Sequence, residues 1–332
     1  MSMLSLNSEA AFAVNAVREG ALIARKIREE FGASSVAKID HSPVTIADFA
    51  VQAFIAYSLD RDFPGDALVG EESSEILRSK EGQNLLSKIC DTVKPHLRHA
   101  DPERICRWID RGLAEPSERF WTLDPIDGTK GFVRGGQYAV ALALIENGKV
   151  EIGVLGCPNL CEAASEKIKG EGSLIVAVRG EGAWTAPILG SAAPINAFKP
   201  LHVSSRSEAN EARVVQSYED AHKDTKASDE LLRRLGIQKG NVLMDSQAKH
   251  AVVASGACDL LFYLTNPANP YRFIKIWDQA AGSLLVEEAG GKITDLDGKD
   301  LDFGAGKTLA RNRGVLATNG LLHSNALSAL KK

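Results

Sequence analysis

Apolar positions recur at helical spacing near the start of the chain. Val14, Val17, Ala21, Ala24 and Ile27 repeat every three or four residues, with Arg18, Arg25, Lys26 and Glu29 on other faces, which predicts a first amphipathic helix. Residues 46–60 predict a second, with Ala47, Ala50, Val51, Phe54, Ile55 and Leu59 as its apolar side, closed by Pro64-Gly65. Residues 79–118 are more polar, read as helical in pieces around 85–93 and 103–109, and are expected to form a surface insertion. The pattern then changes. The runs 138–145 and 150–155 flank Asn147-Gly148, and 174–178 and 183–185 flank Gly180-Glu181-Gly182, so two hairpins are predicted. Residues 186–200, with Pro187, Gly190, Pro194 and Pro200, read as a linker.

Beyond the linker, short apolar runs and helical patterns alternate. Strands are predicted at 201–204, 214–217, 242–245, 260–264, 292–294 and 315–317. Helices are predicted at 228–235, 247–254, 277–289 and 321–330. That alternation argues α/β layering.

Composition narrows the function more than the fold. With 332 residues, 44% hydrophobic and 25% charged, the chain suits one large domain or two close ones. The formal charge of -4 leaves no basic footprint for a nucleic acid polymer, so an anionic substrate would need metal ions or a local cluster of Lys, Arg and His. No apolar stretch approaches the ~18 residues of a membrane span. The N-terminal stretch lacks the apolar core of a secretory signal, and a cytoplasmic protein is expected. Cys90, Cys106, Cys157, Cys161 and Cys258 are odd in number and scattered, which implies no disulfide framework. Cys157 and Cys161 lack the second pair that zinc requires.

Candidate chemistry begins at Asp124-Pro125-Ile126-Asp127-Gly128-Thr129. A hydrophobic run ends there on two carboxylates, the donors of hard cations such as Mg²⁺. The Gly-Thr pair that follows suits a tight turn that exposes backbone N–H groups to phosphate. Three further acidic sites stand beside apolar runs: Asp48 near a helix start, Glu71-Glu72 after Ala67–Gly70, and Asp278 opening the apolar helix after Trp277. Each has a plain structural reading as well. Asp48 and Asp278 suit helix N-termini, Glu71-Glu72 a solvated turn, and the Asp-Pro-Ile-Asp-Gly run an ordinary turn. Their repetition at element ends is what α/β proteins show at sites. Haloacid-dehalogenase phosphatases also place two aspartates before Gly-Thr, but one residue apart; here two residues intervene.

The order Asp48, Glu71-Glu72, DPIDGT at 124–129 and WDQAAG at 277–282 resembles the lithium-sensitive, Mg²⁺-dependent phosphatase superfamily of inositol monophosphatases, inositol polyphosphate 1-phosphatases and 3'(2'),5'-bisphosphate nucleotidases. Ser42–Thr45, Val69–Ser73, the block from Arg119 to Asn159, the Lys130-Gly131-Phe132 extension and Asp245–Lys249 look like the fungal and plant nucleotidases. The resemblance implies an α/β fold, a layered αβαβα sandwich. It implies an α+β half over residues 1–190 carrying most metal ligands and an α/β half over 201–332 carrying Asp278 and the substrate contacts. It further implies two or three Mg²⁺ ions held by Glu71, Asp124, the Ile126 carbonyl, Asp127 and Asp278. Asp48 and Thr129 would orient and deprotonate the attacking water. Gly128 and Thr129 would hold the scissile phosphate, and His222, Ser246, Lys249 and Asp278 would contact a small nucleotide bisphosphate. A monomer is expected. The chain departs from the nucleotidase pattern at Tyr263, where relatives carry Arg; Arg272 is a nearby substitute. The departure keeps an inositol polyphosphate 1-phosphatase as the alternative. A catalytically silent nucleotide or metal sensor is the alternative of another class.

Overall fold

In the computed structural model, two long helices form where the apolar periodicity places them. The residues described are 6–31, 35–37, 43–163, 170–189, 197–218, 225–237, 242–265 and 274–331. Helix α1 (Ser8–Phe31) is followed by the short strands β1 (Ser35–Ala37) and β2 (Pro43–Thr45), which pair antiparallel. Helix α2 (Ile46–Asp62) begins at Thr45 with a capping box: the Thr45 hydroxyl accepts from Ala47 N–H, and Asp48 accepts from Thr45 N–H. Burial around α2 includes Ile46, Phe49, Gln52 and Ala56 as well as the predicted apolar side, so this helix lies inside the molecule.

Strand β3 (Ala67–Gly70) leads to α3 (Gln83–Val93) and α4 (Pro102–Asp110). These helices are not a surface insertion. Ile89, Val93, Ile105, Trp108 and Ile109 are buried in the same core as α2, which supplies the reason for their apolar spacing. Strand β4 (Arg119–Asp127), helix α5 (Thr129–Arg134) and strands β5 (Ala139–Glu146), β6 (Lys149–Cys157), β7 (Ser173–Val178), β8 (Gly182–Pro187) and β9 (Lys199–Leu201) follow. Strands β3 to β9 form a seven-stranded sheet in sequence order; β3 and β4 are parallel and the other neighbours antiparallel. The expected hairpin at Asn147-Gly148 turns with φ values of 51° and 75°, the left-handed pair a two-residue turn requires. The expected linker is narrower than 186–200, because β8 runs to Pro187 and β9 begins at Lys199.

The C-terminal part comprises β10 (Val214–Gln216), α6 (Thr225–Arg234), β11 (Val242–Leu243), α7 (Ala248–Ala254), β12 (Leu260–Tyr263), α8 (Ala280–Glu288), β13 (Lys292–Thr294), β14 (Val315–Thr318) and α9 (His323–Leu330). Its sheet has the order β11-β10-β12-β14-β13, with β10 to β12 parallel and β14 antiparallel to its neighbours.

Strand alternation sorts the layers. On β5, Val140, Leu142 and Leu144 face α1 and α2, while the small Ala139, Ala141 and Ala143 face the cluster that contains α8. Helices α7 and α8 lie between the two sheets, and α6 and α9 cover the outer face of the smaller one. The result is an αβαβα sandwich, the expected α/β class. Among the described residues no helix is long and apolar enough to cross a membrane.

Candidate functional site

Strand β4 carries Phe120–Leu123 into the larger sheet and ends on Asp124-Pro125-Ile126-Asp127. Its pairing with β5 is regular to Asp124 opposite Ala141, slips, and resumes at Asp127 opposite Ala139. On a regular strand, residues three apart face opposite sides. The irregularity re-aims them, and carboxylate oxygens of Asp124, Asp127 and Asp278 all lie within 4.8 Å of one another. Asp124 is buried, whereas Asp127 and Asp278 are half-buried. The Ile126 N–H donates to Asp124 Oδ1 at 3.1 Å, which fixes that carboxylate on its own turn.

Gly128 then turns the chain with φ of 81° into α5. A Cβ there would lie 2.9 Å from the Cβ of Ser246, so glycine is needed for the conformation and for this close approach. Helix α5 is also tied to the 245 region at its other end: Arg134 pairs with Asp245, and its guanidinium lies 4.4 Å from the ring centre of Tyr218.

Asp48 reaches the same turn from α2. Its Oδ2 accepts from Thr45 N–H at 2.8 Å and from the Thr45 hydroxyl at 2.7 Å. The Thr129 hydroxyl lies between Asp48 Oδ1, at 3.4 Å, and the Ile126 carbonyl, at 3.1 Å. It has one proton and can donate to one of them at a time. Glu71 follows β3, and its side chain shares a hydrogen bond with Asp124. A residue that sequence reasoning missed holds this turn. The Gln52 amide donates to the Glu72 carbonyl at 2.6 Å and the Ile109 carbonyl at 2.8 Å, and its oxygen accepts from Glu72 N–H at 3.0 Å.

Asp278 sits in a turn, not on the predicted helix. Asp278 N–H donates to the Lys275 carbonyl at 3.3 Å and Gln279 N–H to the Ile276 carbonyl at 3.2 Å, so α8 starts only at Ala280. A second missed residue, Gln247, lies behind this turn and also touches Asp127. The signal for Gln52 was a lone amide in an apolar run, Phe49-Ala50-Val51-Gln52-Ala53, whereas Gln247 sits in the polar run Asp245-Ser246-Gln247-Ala248-Lys249 and gave none.

Ser246 touches the Gly128 turn, and Lys249 is buried on α7, near enough to Asp127 to lower its pKa. His222 and Arg272 lie outside the described residues. The Tyr263 ring centre is 5.4 Å from Lys249 Nζ and 6.3 Å from the near-parallel ring of His250, with the Gln279 side chain at its hydroxyl. His250 is buried and makes a 3.2 Å contact through Nε2 to Gln279 Oε1. Burial, reinforced by Lys249, pushes its pKa down to about 3, so the ring is neutral and Nε2 carries the proton it donates.

The charges of this site oppose one another. Burial, and then the carboxylates of Glu71, Asp127 and Asp278, hold Asp124 well above the usual carboxylate range. Asp278 is raised by burial and by Asp127 and Glu71, with Lys275 pulling the other way. Asp127 is pushed up to about 6, chiefly by burial, against the lowering effect of Lys249 and the Gln247 N–H. Such a cluster keeps protons unless a cation replaces them. Clustered carboxylates form an all-oxygen donor set, which fits a hard divalent cation of the Mg²⁺ class.

Comparison with known proteins bears on this arrangement. The family description "Inositol monophosphatase family" matches residues 5–332. The chain is 38% identical to a 3'(2'),5'-bisphosphate nucleotidase of Schizosaccharomyces pombe, over 95% of this chain and 92% of the relative. It is 39% identical to a protein of the same name from Oryza sativa, over 98% of this chain and 94% of the relative. Among solved structures, an IMPase of Thermotoga maritima superposes with a TM-score of 0.67 at 21% identity, covering 98% of this chain and 97% of that one. The extragenic suppressor protein suhB of Bartonella henselae has the same TM-score, 0.67, at 22% identity, covering 98% and 99%. At that identity the likeness speaks for the fold alone.

Proposed function

The chain belongs to the inositol monophosphatase family, and on that premise we propose that it is a Mg²⁺-dependent phosphatase that removes the 3'-phosphate of adenosine 3',5'-bisphosphate, giving AMP and phosphate. Its sulfated derivative is the second expected substrate. The observation that carries the reaction type is the meeting of Asp124, Asp127 and Asp278 within 4.8 Å on two separate turns. The choice of nucleotide is supported by full-length relatives that bear the nucleotidase name.

In this reading Glu71, Asp124, Asp127, Asp278 and the Ile126 carbonyl hold two or three ions. Bound Mg²⁺ supplies positive charge against the phosphoryl oxygens and acidifies the attacking water. Asp48, held in place by its two bonds from Thr45, and the Thr129 hydroxyl beside it orient that water and take its proton. The amides of Gly128 and Thr129 hold the scissile phosphate. Ser246, Lys249 and His222 would contact the rest of the nucleotide, with Asp278 serving both metal and substrate. Hydrolysis of inositol 1,4-bisphosphate is the second reading, favoured by Tyr263 standing where the nucleotidase pattern has Arg.

Phosphate release with Mg²⁺ from adenosine 3',5'-bisphosphate, its sulfated derivative and inositol 1,4-bisphosphate, with and without Li⁺, tests both readings. The nucleotide is expected to give the highest kcat/KM, and Li⁺ to inhibit. Release from the inositol phosphate alone would replace the first reading with the second. No release from any of them would overturn the proposal.

A further inference from the structure

Gln247 is 1% exposed, and its backbone N–H and both polar groups of its side chain are engaged in the region where the two parts of the site meet. Its backbone N–H donates to Asp127 Oδ2. Its side-chain Nε2 donates to the Trp277 carbonyl at 2.9 Å, and its Oε1 accepts from Gly282 N–H at 2.9 Å. Residues 277 and 282 lie on either side of Asp278. One residue thus grips one carboxylate directly and the backbone around another.

Two features show that this contact is built into the fold. The first is the start of α8, where Gln279 makes no side-chain cap. The N–H of Gly282, in the first turn, is one of the donors a helix leaves open. Gln247 satisfies it from a different element. The second is the backbone before Gln247: Ser246 has φ of 64°, in the left-handed region that a residue with a Cβ adopts only under strain. Such a conformation persists where neighbours over-determine it, and here the Gly128 turn packs directly against Ser246.

We propose that Gln247 is a positioning residue that sets the spacing of Asp127 and Asp278 and thereby the affinity of the site for divalent metal. The inference rests on the metal-dependent reading given above. A plain helix-capping role would make Gln247 matter for stability alone. A positioning role makes it matter for metal binding, at a strength typical of groups that orient ligands without touching the ion, about 10- to 100-fold in affinity.

The test uses the metal-free full-length protein and two variants. Gln247→Met keeps the length of the side chain and removes its hydrogen bonds. Gln247→Asn keeps the amide but is one methylene too short to span Trp277 and Gly282 together. Both retain the backbone bond to Asp127. Mn²⁺ is titrated and the free ion followed by electron paramagnetic resonance, alongside metal-free thermal melting. The dissociation constant is expected to rise at least about tenfold in both variants. In turnover, the Mg²⁺ concentration for half-activation rises while kcat at saturating Mg²⁺ recovers. Titration curves that superimpose on the parent, whether or not melting changes, would overturn the proposal. If the Met variant does not fold, the Asn variant decides by the same measurement, and failure of both to fold would assign Gln247 to the scaffold. Absence of Mn²⁺ binding by the parent protein would instead overturn the functional reading.

Discussion

Two turns deliver carboxylates to the site from outside the Asp124–Asp127 run, and each is held by a buried glutamine. At Glu71-Glu72 the glutamine is Gln52, in the middle of a 17-residue helix. Its amide joins α2, the end of β3 and the last turn of α4, all packed on the α1–α2 side of the larger sheet. At Asp278 the glutamine is Gln247, which follows a left-handed serine and precedes a helix of 7 residues. Its amide joins elements on the opposite side of that sheet. The chemistry is the same, but the mechanical settings differ. Glu71 is placed by a turn tied into the large core around α2. Asp278 is placed by a contact that belongs to the site itself.

The largest expected effect concerns the acid that both turns face. Asp124→Asn removes charge from the centre of the cluster, and kcat should fall by about a thousandfold or more, the several kcal/mol a metal clamp contributes. The fold should be retained by circular dichroism. Undiminished turnover would remove Asp124 from the metal set and the common target of the comparison with it.

Next comes Gln52→Ala, which removes the bonds its amide makes to the Glu72 N–H, the Glu72 carbonyl and the Ile109 carbonyl, of which the last keeps its bond from Gly112 N–H. Unsatisfied groups of this kind cost about 1–3 kcal/mol each, so denaturant unfolding should show a loss of about 3 kcal/mol, with Mg²⁺ activation shifted less than in the Gln247 variants. A Gln52 variant that lost metal affinity at full stability would erase the contrast between the two regions.

The smallest effect is on pH dependence. Asp124, Asp127 and Asp278 have folded-state pKa values above their ordinary ones, so the metal-free protein binds protons more tightly than the unfolded chain. The contribution of Asp127 to stability is therefore complete below about pH 4 and is lost as pH rises through about 6, and those of Asp124 and Asp278 are likewise lost as pH rises. On the proposed function, Mg²⁺ binds the deprotonated cluster. The rise in Tm on adding Mg²⁺ to chelator-treated protein should grow between about pH 5 and pH 7. A Tm increment independent of pH would show that the cluster is already ionised without metal.

Much of this was legible in the sequence because it is local. The long helices followed from periodicity, the hairpins from Asn147-Gly148 and Gly180-Glu181-Gly182, and the central turn from contiguous acid, proline and glycine. The layered fold rested on alternation and on the resemblance. What escaped depends on contacts far apart in the chain. Gln52 and Glu72 are 20 positions apart, and Gln247 and Gly282 are 35. No periodicity marks such pairs, and a glutamine inside an apolar helix reads as a polar position facing solvent. The start of α8 was misplaced for a related reason. Trp277, Asp278 and Gln279 continue the helical pattern, but their backbone is held as a turn from outside the segment.

The position of α8 between the sheets also bears on how the protein comes apart. One hydrophobic cluster runs from Ala141 and Ala143 of the larger sheet through Leu284, Leu285 and Val286 to Val215, Leu261 and Ala317 of the smaller one. Detaching either sheet would strip α8 of packing partners and expose apolar surface on both sides at once. The two sheets are therefore expected to melt as one cooperative unit.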